Sequence, residues 1–381
     1  MRILFITPFY YPATYWGGPI YSLYGRNGAI AAMPDVQLKV LTTDAAGPKK
    51  EDRLEIHTVD CDTLFPNYAV GFCRRDAGHS ASLELLLKLP ALIRWSDVVH
   101  LAFIYSFPTI PTLLLSRIWH KPLVWSLHGA LLRDQKFPKA QRRNLKRLWM
   151  GICNAMVQSH RVTLHVTSEE EKSASAARIP NAKVRVIRHC VETPATLPER
   201  EYLPEGRMRL LFLGRLDPVK GLENLLEAMK QIDDPSITLS ICGDGDAQYV
   251  SSLKQYIRRL GLLDNYVHFL GQVDGIFKTN AFLSSDVSIL PSYSENFGMA
   301  VAESLAHGVP VIVSSGTPWK SVEDRQCGLW VDNSPESLAC AIRSIRQMKL
   351  ADMGRRGWEW MKKDFSWASV GAEMLGIYKD G

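Results

Sequence analysis

The stretch Arg209-Leu210-Leu211-Phe212-Leu213-Gly214-Arg215-Leu216-Asp217-Pro218-Val219-Lys220-Gly221 decides the fold. An apolar run ends at a glycine and a polar turn follows. Leu222, Leu225, Leu226 and Met229 then recur at helical spacing. Strand, turn and helix in that order open a parallel α/β unit. The run Arg2-Ile3-Leu4-Phe5-Ile6 resembles this one, so two such units are expected, each starting on a central strand.

Working outward, short β-branched runs alternate with helical patterns along the whole chain. Strands are predicted at Ile3–Thr7, Leu38–Thr42, Val98–Leu101, Leu123–Leu127, Leu164–Thr167 and Val184–Ile187. In the second half they fall at Leu210–Gly214, Ile237–Cys242, Val267–Leu270, Val287–Leu290 and Pro310–Val313. Continuous apolar runs suit strands covered on both faces. Pro194, Pro198 and Pro204 mark a linker between the halves. The expected organisation is two facing Rossmann-like α/β domains with a cleft between them. The first covers residues 1–190, the linker 191–206, the second domain 207–365, and a final helix 366–381 packs back on the first domain, with Ser366 a candidate cap.

Size and composition agree. A chain of 381 residues exceeds what one hydrophobic core usually serves. Apolar residues at 46% and charged residues at 22% exclude disorder and coiled coil. A net charge of +6 is too small for a dedicated nucleic-acid binder, so no nucleic-acid partner is expected. Seven scattered cysteines point to a reducing compartment, hence the cytoplasm. The apolar run at residues 3–6 is cut by Pro8, so it does not read as a signal peptide. Val98–Trp119 is apolar but holds His100, Pro108, Pro111 and Arg117. It reads as strand, turn and amphipathic helix, not as a membrane span.

Four turns follow predicted strands and carry chemistry. In the first, Arg215 and Lys220 stand at a helix N-terminus, which favours anions. They suit a diphosphate, or they are two solvated cations on a turn. The second is Pro291-Ser292-Tyr293-Ser294-Glu295-Asn296-Phe297-Gly298, followed by a helix holding Glu303. Two carboxylates there can accept paired hydrogen bonds from vicinal diols, or serve only as partners of the helix dipole. The third is Trp16-Gly17-Gly18-Pro19, whose glycines let backbone approach a ligand. The fourth is His128-Gly129 after a buried strand. Sheets of this kind place ligands at those strand ends.

Asp60-Cys61-Asp62 and Asp244-Gly245-Asp246 have an Asp-x-Asp spacing, but such short matches are common by chance, a tight turn accounts for the second, and without a His/Cys cluster no metal is expected. The basic run Arg133, Lys136, Lys139, Arg142, Arg143, Lys146 and Arg147 has two readings. It is a solvated helix packing Leu145, Leu148, Trp149 and Ile152 on the core, or residues 133–147 meet an anionic membrane surface.

Gly-Arg-Leu at 214–216 with Lys220-Gly221, Gly243-Asp244-Gly245, and Pro-Ser-x-x-Glu-x-Phe-Gly-x-x-x-x-Glu at 291–303 resemble the retaining family 4 glycosyltransferases of the GT-B fold. The resemblance extends to the Gly17-Gly18 loop, His128-Gly129 and the late aromatic helix. It implies that Arg215 and Lys220 hold a donor diphosphate, Glu303 a ribose diol and Glu295 the hydroxyls of the transferred sugar. Gly243, Asn296, Phe297 and Gly298 complete the implied donor loops. Gly17 and Gly18 would approach the phosphates or the acceptor, and His128 the sugar near the reacting carbon. His128, Arg215, Lys220 and Glu295 are thus the catalytic candidates.

The implied activity is metal-independent, retaining transfer of a hexose from a nucleotide-diphosphate sugar, of UDP-glucose or GDP-mannose type, to a glycan or lipid-linked acceptor. It needs no cofactor, and its setting would be surface polysaccharide assembly at the inner face of the membrane. A sugar-nucleotide epimerase or phosphorylase on the same fold, or a non-catalytic nucleotide-sugar binder, would carry the same donor residues.

Overall fold

The computed structural model describes residues 1–131, 143–157, 161–200, 203, 206–262 and 266–380. Arg133, Lys136, Lys139 and Arg142 of the basic run, and residues 201, 202, 204 and 205 of the predicted linker, lie outside the described residues. The chain divides into two compact units. One comprises Met1–Cys190 with Trp367–Gly381, the other Val191–Ser366.

The first unit is built on seven parallel strands: β1 (Arg2–Ile6), β2 (Gln37–Thr43), β3 (Ala69–Cys73), β4 (Val98–Ala102), β5 (Leu123–Ser126), β6 (Val162–Val166) and β7 (Lys183–Val186). Their order is β3-β2-β1-β4-β5-β6-β7. Ile3 of β1 lies opposite Leu38 of β2 on one side and Val98 of β4 on the other. Alternate residues of β1 enter different cores. Leu4 and Ile6 pack with Leu89, Leu113 and Cys153, while Ile3 and Phe5 pack with Leu23, Ile30 and Met374.

Right-handed crossovers explain this division. Helices Leu83–Trp95, Thr109–Ile118 and Arg143–Met156 each follow a strand and lead onward in one direction across the sheet, so they cover one face. Helix Gly18–Ala31 leads from β1 back to β2 and covers the other, where the final helix Trp367–Lys379 packs against it.

The second unit repeats the winding with β8 (Met208–Leu213), β9 (Ile237–Cys242), β10 (Val267–Gly271), β11 (Val287–Leu290), β12 (Val311–Ser314) and β13 (Gly328–Val331), in the order β10-β9-β8-β11-β12-β13. In each sheet the order reverses beside the opening strand, between β1 and β4 and between β8 and β11. Ligands of open α/β sheets bind at such points.

Two strands were not anticipated. β3 and β13 are sheet edges, each includes a glycine, and each leaves residues partly exposed. Val98–Trp119 resolves into β4 and helix Thr109–Ile118. Among the described residues no helix is long and apolar enough to cross a membrane. The core-packing reading of helix Arg143–Met156 is corrected. Met150 and Cys153 face the core, whereas Leu145, Leu148 and Ile152 are exposed. Trp149 is part-buried, and its indole N–H donates to the Ile104 carbonyl at 2.9 Å.

Candidate functional site

In the second unit, the loops after β8 and β11 are tied together. Asp217 caps the short turn Pro218–Lys220, its Oδ1 accepting the Val219 N–H at 3.0 Å. The Val219 carbonyl accepts the Tyr293 N–H at 2.8 Å. Gly221 then takes the left-handed conformation (φ 64°) and starts helix Leu222–Ile232 without a side-chain cap. A β-carbon at Gly221 would lie 2.2 Å from the Pro291 carbonyl oxygen, so both its conformation and its surroundings demand glycine.

This clamp brings Lys220 to Glu295. Lys220 Nζ donates to Glu295 Oε1, which also accepts the Ser292 hydroxyl at 2.9 Å. Their side chains are only 16% and 13% exposed. Arg215 is different: 62% exposed, with Asp217 at 3.2 Å. The backbone N–H of Glu295 donates to the Gly316 carbonyl at 3.0 Å, which fixes the acid's place after β11.

Glu303 stands in helix Met299–Ala306, which also starts on a left-handed glycine, Gly298 (φ 83°). Its partner is Lys278 of helix Gly275–Leu283, 2.6 Å away. Each carboxylate therefore has its own lysine. Phe297 is buried, and its carbonyl accepts the Trp319 indole N–H. Asn296 lies between Glu295 and Phe297 in the same loop. Gly243 follows β9 so closely packed that a β-carbon would meet the Gly214 carbonyl oxygen at 1.9 Å.

Three of the four aspartates in the two Asp-x-Asp patterns are engaged in local structure. Asp246 accepts the N–H groups of Gln248 and Tyr249 and caps helix Ala247–Leu260. Asp244 accepts the Gly245 N–H, and Asp60 caps helix Cys61–Leu64. Among the described residues, no group of three or more His, Cys, Asp or Glu is placed to hold a metal ion.

In the first unit, Gly17 (φ 77°) caps helix Gly18–Ala31, again with no side-chain hydrogen bond. Open space surrounds it, so its conformation and not crowding requires glycine. His128 follows β5 at φ 51°, a conformation uncommon for a residue other than glycine. Glu171 holds this turn by accepting the Gly129 N–H at 2.5 Å, and its other oxygen accepts the N–H and hydroxyl of Thr167. The His128 ring stacks on His189 at 5.6 Å and leans on Phe103 at 4.7 Å. Both ring nitrogens are buried without a hydrogen-bond partner among the described residues. Burial, then the neighbouring His189, holds its pKa well below the ordinary imidazole range, so the ring is neutral.

A chain of hydrogen bonds runs across the sheet nearby. His165 Nε2 faces the Ile187 carbonyl at 2.9 Å, so it must carry the proton. Its Nδ1 therefore accepts the Ser126 hydroxyl at 2.6 Å, and Ser126 in turn accepts from His100 Nε2. That leaves His100 Nδ1 to accept the Tyr378 hydroxyl at 2.5 Å. The tautomers of both histidines follow from the one carbonyl.

Sequence reasoning named neither Lys278, Glu171 nor this chain. Their partners lie 25, 42 and 278 residues away along the sequence, and no local pattern signals them.

Residues 31–194 match the description Glycosyltransferase Family 4, and residues 195–358 match Glycosyl transferases group 1. The chain belongs to this family of glycosyltransferases. An uncharacterized glycosyltransferase of Methanocaldococcus jannaschii is 34% identical over 232 residues, 56% of this chain and 58% of that protein. A D-inositol 3-phosphate glycosyltransferase of Arthrobacter sp. is 28% identical over 256 residues, 62% of this chain and 58% of that protein. The match thus spans under two thirds of either relative's length. HepE of Anabaena, solved with UDP-glucose, shares the fold with a TM-score of 0.74 at 18% identity, each chain fully covered. Sucrose-phosphate synthase of Thermosynechococcus elongatus shares it at 0.71 and 20% identity, over 99% and 98% of the two chains. The fold is GT-B, built from two parallel-sheet α/β units.

Proposed function

We propose that the protein transfers a hexose from a nucleoside-diphosphate sugar, UDP-glucose first and GDP-mannose second, to a glycan or lipid-linked acceptor, with retention at the anomeric carbon. The observation that carries this reading is the convergence of Lys220, Glu295 and a glycine-started helix where the order of the second sheet reverses. Cations and an open helix N-terminus suit a diphosphate, and carboxylates suit diols. The kinship with D-inositol 3-phosphate glycosyltransferases and the UDP-glucose complex of HepE support a nucleotide-sugar donor.

In this reading Arg215 and Lys220 neutralise the departing diphosphate, Glu303 takes the ribose diol and Glu295 the sugar hydroxyls. Gly243, Asn296, Phe297 and Gly298 shape the donor loops. On the first unit, His128 is assigned to the sugar, and Gly17 and Gly18 to the phosphates or the acceptor. An acceptor hydroxyl attacks the anomeric carbon on the face the diphosphate leaves. The C–O bond to phosphate breaks, and the hydroxyl proton passes to a diphosphate oxygen. Charge stabilisation by the two cations takes the place of a metal. The neutral His128 suits a hydrogen bond to a sugar hydroxyl rather than an ionic contact. Surface polysaccharide assembly on the cytoplasmic side of the membrane is the proposed setting.

A calorimetric screen of UDP- and GDP-hexoses, followed by the anomeric configuration of the product, tests the proposal. Binding of one sugar nucleotide and a retained anomer in an acceptor-dependent product is the expected outcome. Sugar-nucleotide turnover without acceptor would favour an epimerase, and binding without any turnover a simple binder.

A further inference from the structure

Helix Glu169–Arg178 opens on Ser168-Glu169-Glu170-Glu171, the spacing of a capping box. Ser168 plays its part: its hydroxyl oxygen accepts the Glu171 N–H at 3.1 Å. In such a box the acid three residues on reaches back to the N–H of the cap residue. Glu171 reaches past the cap. One carboxylate oxygen accepts the N–H of Thr167 at 2.8 Å and its hydroxyl at 2.9 Å. The other accepts the Gly129 N–H at 2.5 Å, 42 residues away along the chain. Glu169 and Glu170 are exposed, whereas Glu171 is fully buried.

Three donors converge on this side chain, so it must accept at both ends. An ionised carboxylate does so; a glutamine would turn its own N–H groups toward one set of donors. Keeping a buried carboxylate is costly. The positive end of the helix and the three hydrogen bonds offset that cost. A turn that had only to leave β5 would need no such group.

What the carboxylate holds is His128-Gly129. Both residues are left-handed, with φ of 51° and 76°. Glycine adopts this conformation freely and histidine does not, so His128 stays there only because its surroundings fix it. The His128 ring rests on Phe103 and His189, and both its nitrogens are buried without a hydrogen-bond partner among the described residues. A buried charge, a strained backbone and an imidazole with unpaired polar atoms thus meet at one turn. Such features gather where a ligand is met.

We propose that Glu171 is a positioning residue: by tying the Gly129 N–H to the start of helix Glu169–Arg178, it fixes the backbone from which His128 is presented to a sugar hydroxyl. This rests on the assignment of His128 to the sugar under the proposed function. Glu171 acts only through His128, because its own oxygens are taken by protein donors.

Four full-length proteins test this: wild type, Glu171→Gln, His128→Ala and the double variant. Calorimetry gives the Kd for UDP over that for UDP-glucose, and for GDP over GDP-mannose; the ratio measures what the sugar adds. For the nucleotide pair that wild type binds, each single variant is expected to lower the ratio about fivefold, with the Kd for free nucleotide unchanged. The double variant should fall no lower than His128→Ala alone. In spectra of histidine-labelled protein, the imidazole resonance that His128→Ala removes should shift in Glu171→Gln. A Glu171→Gln protein that only unfolds at lower temperature, with ratio and resonance as in wild type, would overturn the proposal. So would losses that multiply in the double variant. If His128→Ala keeps the wild-type ratio, the sugar assignment fails, and the resonance decides the positioning: a shift in Glu171→Gln upholds it and none overturns it. Should Glu171→Gln fail to fold, Thr167→Val removes one donor at nearly constant shape. A smaller shift of the His128 resonance is then expected, and an unmoved resonance would count against Glu171.

Discussion

Lys220 and Glu295 hold each other: the ammonium that the proposed function assigns to a phosphate donates to the carboxylate that it assigns to sugar hydroxyls. Arg215 and Asp217 form a second pair beside them. These four side chains sum to no net charge, so under the proposed function a diphosphate would draw on the open start of helix Leu222–Ile232 as well as on the cations. Under the proposed function, rearranging the inner pair is part of binding a donor.

Two variants separate the partners. Lys220→Met removes a charge-assisted bond and leaves Glu295 without its cation. Affinity for UDP or GDP is expected to fall by about 1.5–3 kcal/mol, tenfold or more. Glu295→Gln frees Lys220, so nucleoside-diphosphate affinity should hold or rise while sugar transfer is lost. Calorimetry and turnover on the same preparations decide. Equal weakening of free nucleotide by both variants would remove the assignment.

Glu303, paired with Lys278, should matter to every ribose-bearing ligand. Glu303→Gln is expected to weaken free UDP or GDP and the sugar nucleotide alike. Lys278→Met should do so less, since lysine acts by positioning the acid, and its effect should appear in KM more than in kcat. If Glu303→Gln loses only thermal stability and binds nucleotide as wild type does, the acid is a structural charge.

Transfer should survive excess EDTA. Asp60, Asp244 and Asp246 are engaged in caps and turns, and the proposed function gives the neutralising of the diphosphate to Arg215 and Lys220. Loss of turnover on chelation, with recovery on adding manganese, would reverse this expectation.

Stability should fall as the medium is acidified below neutrality. Burial, reinforced by the charge of Arg26, keeps His100 and His165 well below the ordinary range and pushes His189 down to about 3. Unfolded histidines take up protons near pH 6.5, while the folded ones do not until far lower. Between about 6.5 and 3 the unfolded chain binds more protons, so stability is complete above that window and lost on descending through it. Each such histidine contributes roughly 1.4 kcal/mol per pH unit within it. Urea midpoints at pH 7, 6 and 5 measure this, and a flat series would contradict it.

Two glycines with positive φ should differ. Gly17 has open space around it, so Gly17→Ala should cost only conformational strain, about 1–3 kcal/mol. Gly221→Ala adds a clash with the Pro291 carbonyl and should cost more, loosening the loop that carries Lys220. Thermal unfolding compares the pair, and equal shifts would mean that the loop yields.

The buried strands were legible because parallel sheets demand unbroken apolar runs, and every predicted strand falls on an observed one. β3 and β13 escaped because each is short and carries a glycine, which weakens the strand signal. That Arg215, Lys220 and Glu295 stand in the turns after β8 and β11 was readable in outline. Their pairing was not: Lys220 meets Glu295 only because β8 and β11 are neighbours, a fact of sheet order. The exposed face of helix Arg143–Met156 was misjudged for a related reason. Periodicity finds an apolar stripe without saying which stripe the core takes, and here Met150 and Cys153 fill that place.

The final helix has a bearing on how the protein is made. Val191–Ser366 is continuous in sequence, so that unit has all its parts as soon as it leaves the ribosome. Met1–Cys190, although synthesised first, must wait. Val370, Met374 and Tyr378 belong to its core, and the Tyr378 hydroxyl supplies the first proton of the chain that orders His100, Ser126 and His165. Until residue 378 emerges, the nascent N-terminal half carries an uncovered apolar groove along helix Gly18–Ala31. The half begun earliest is finished last, and a ribosome that stalls late in the message leaves that half incomplete.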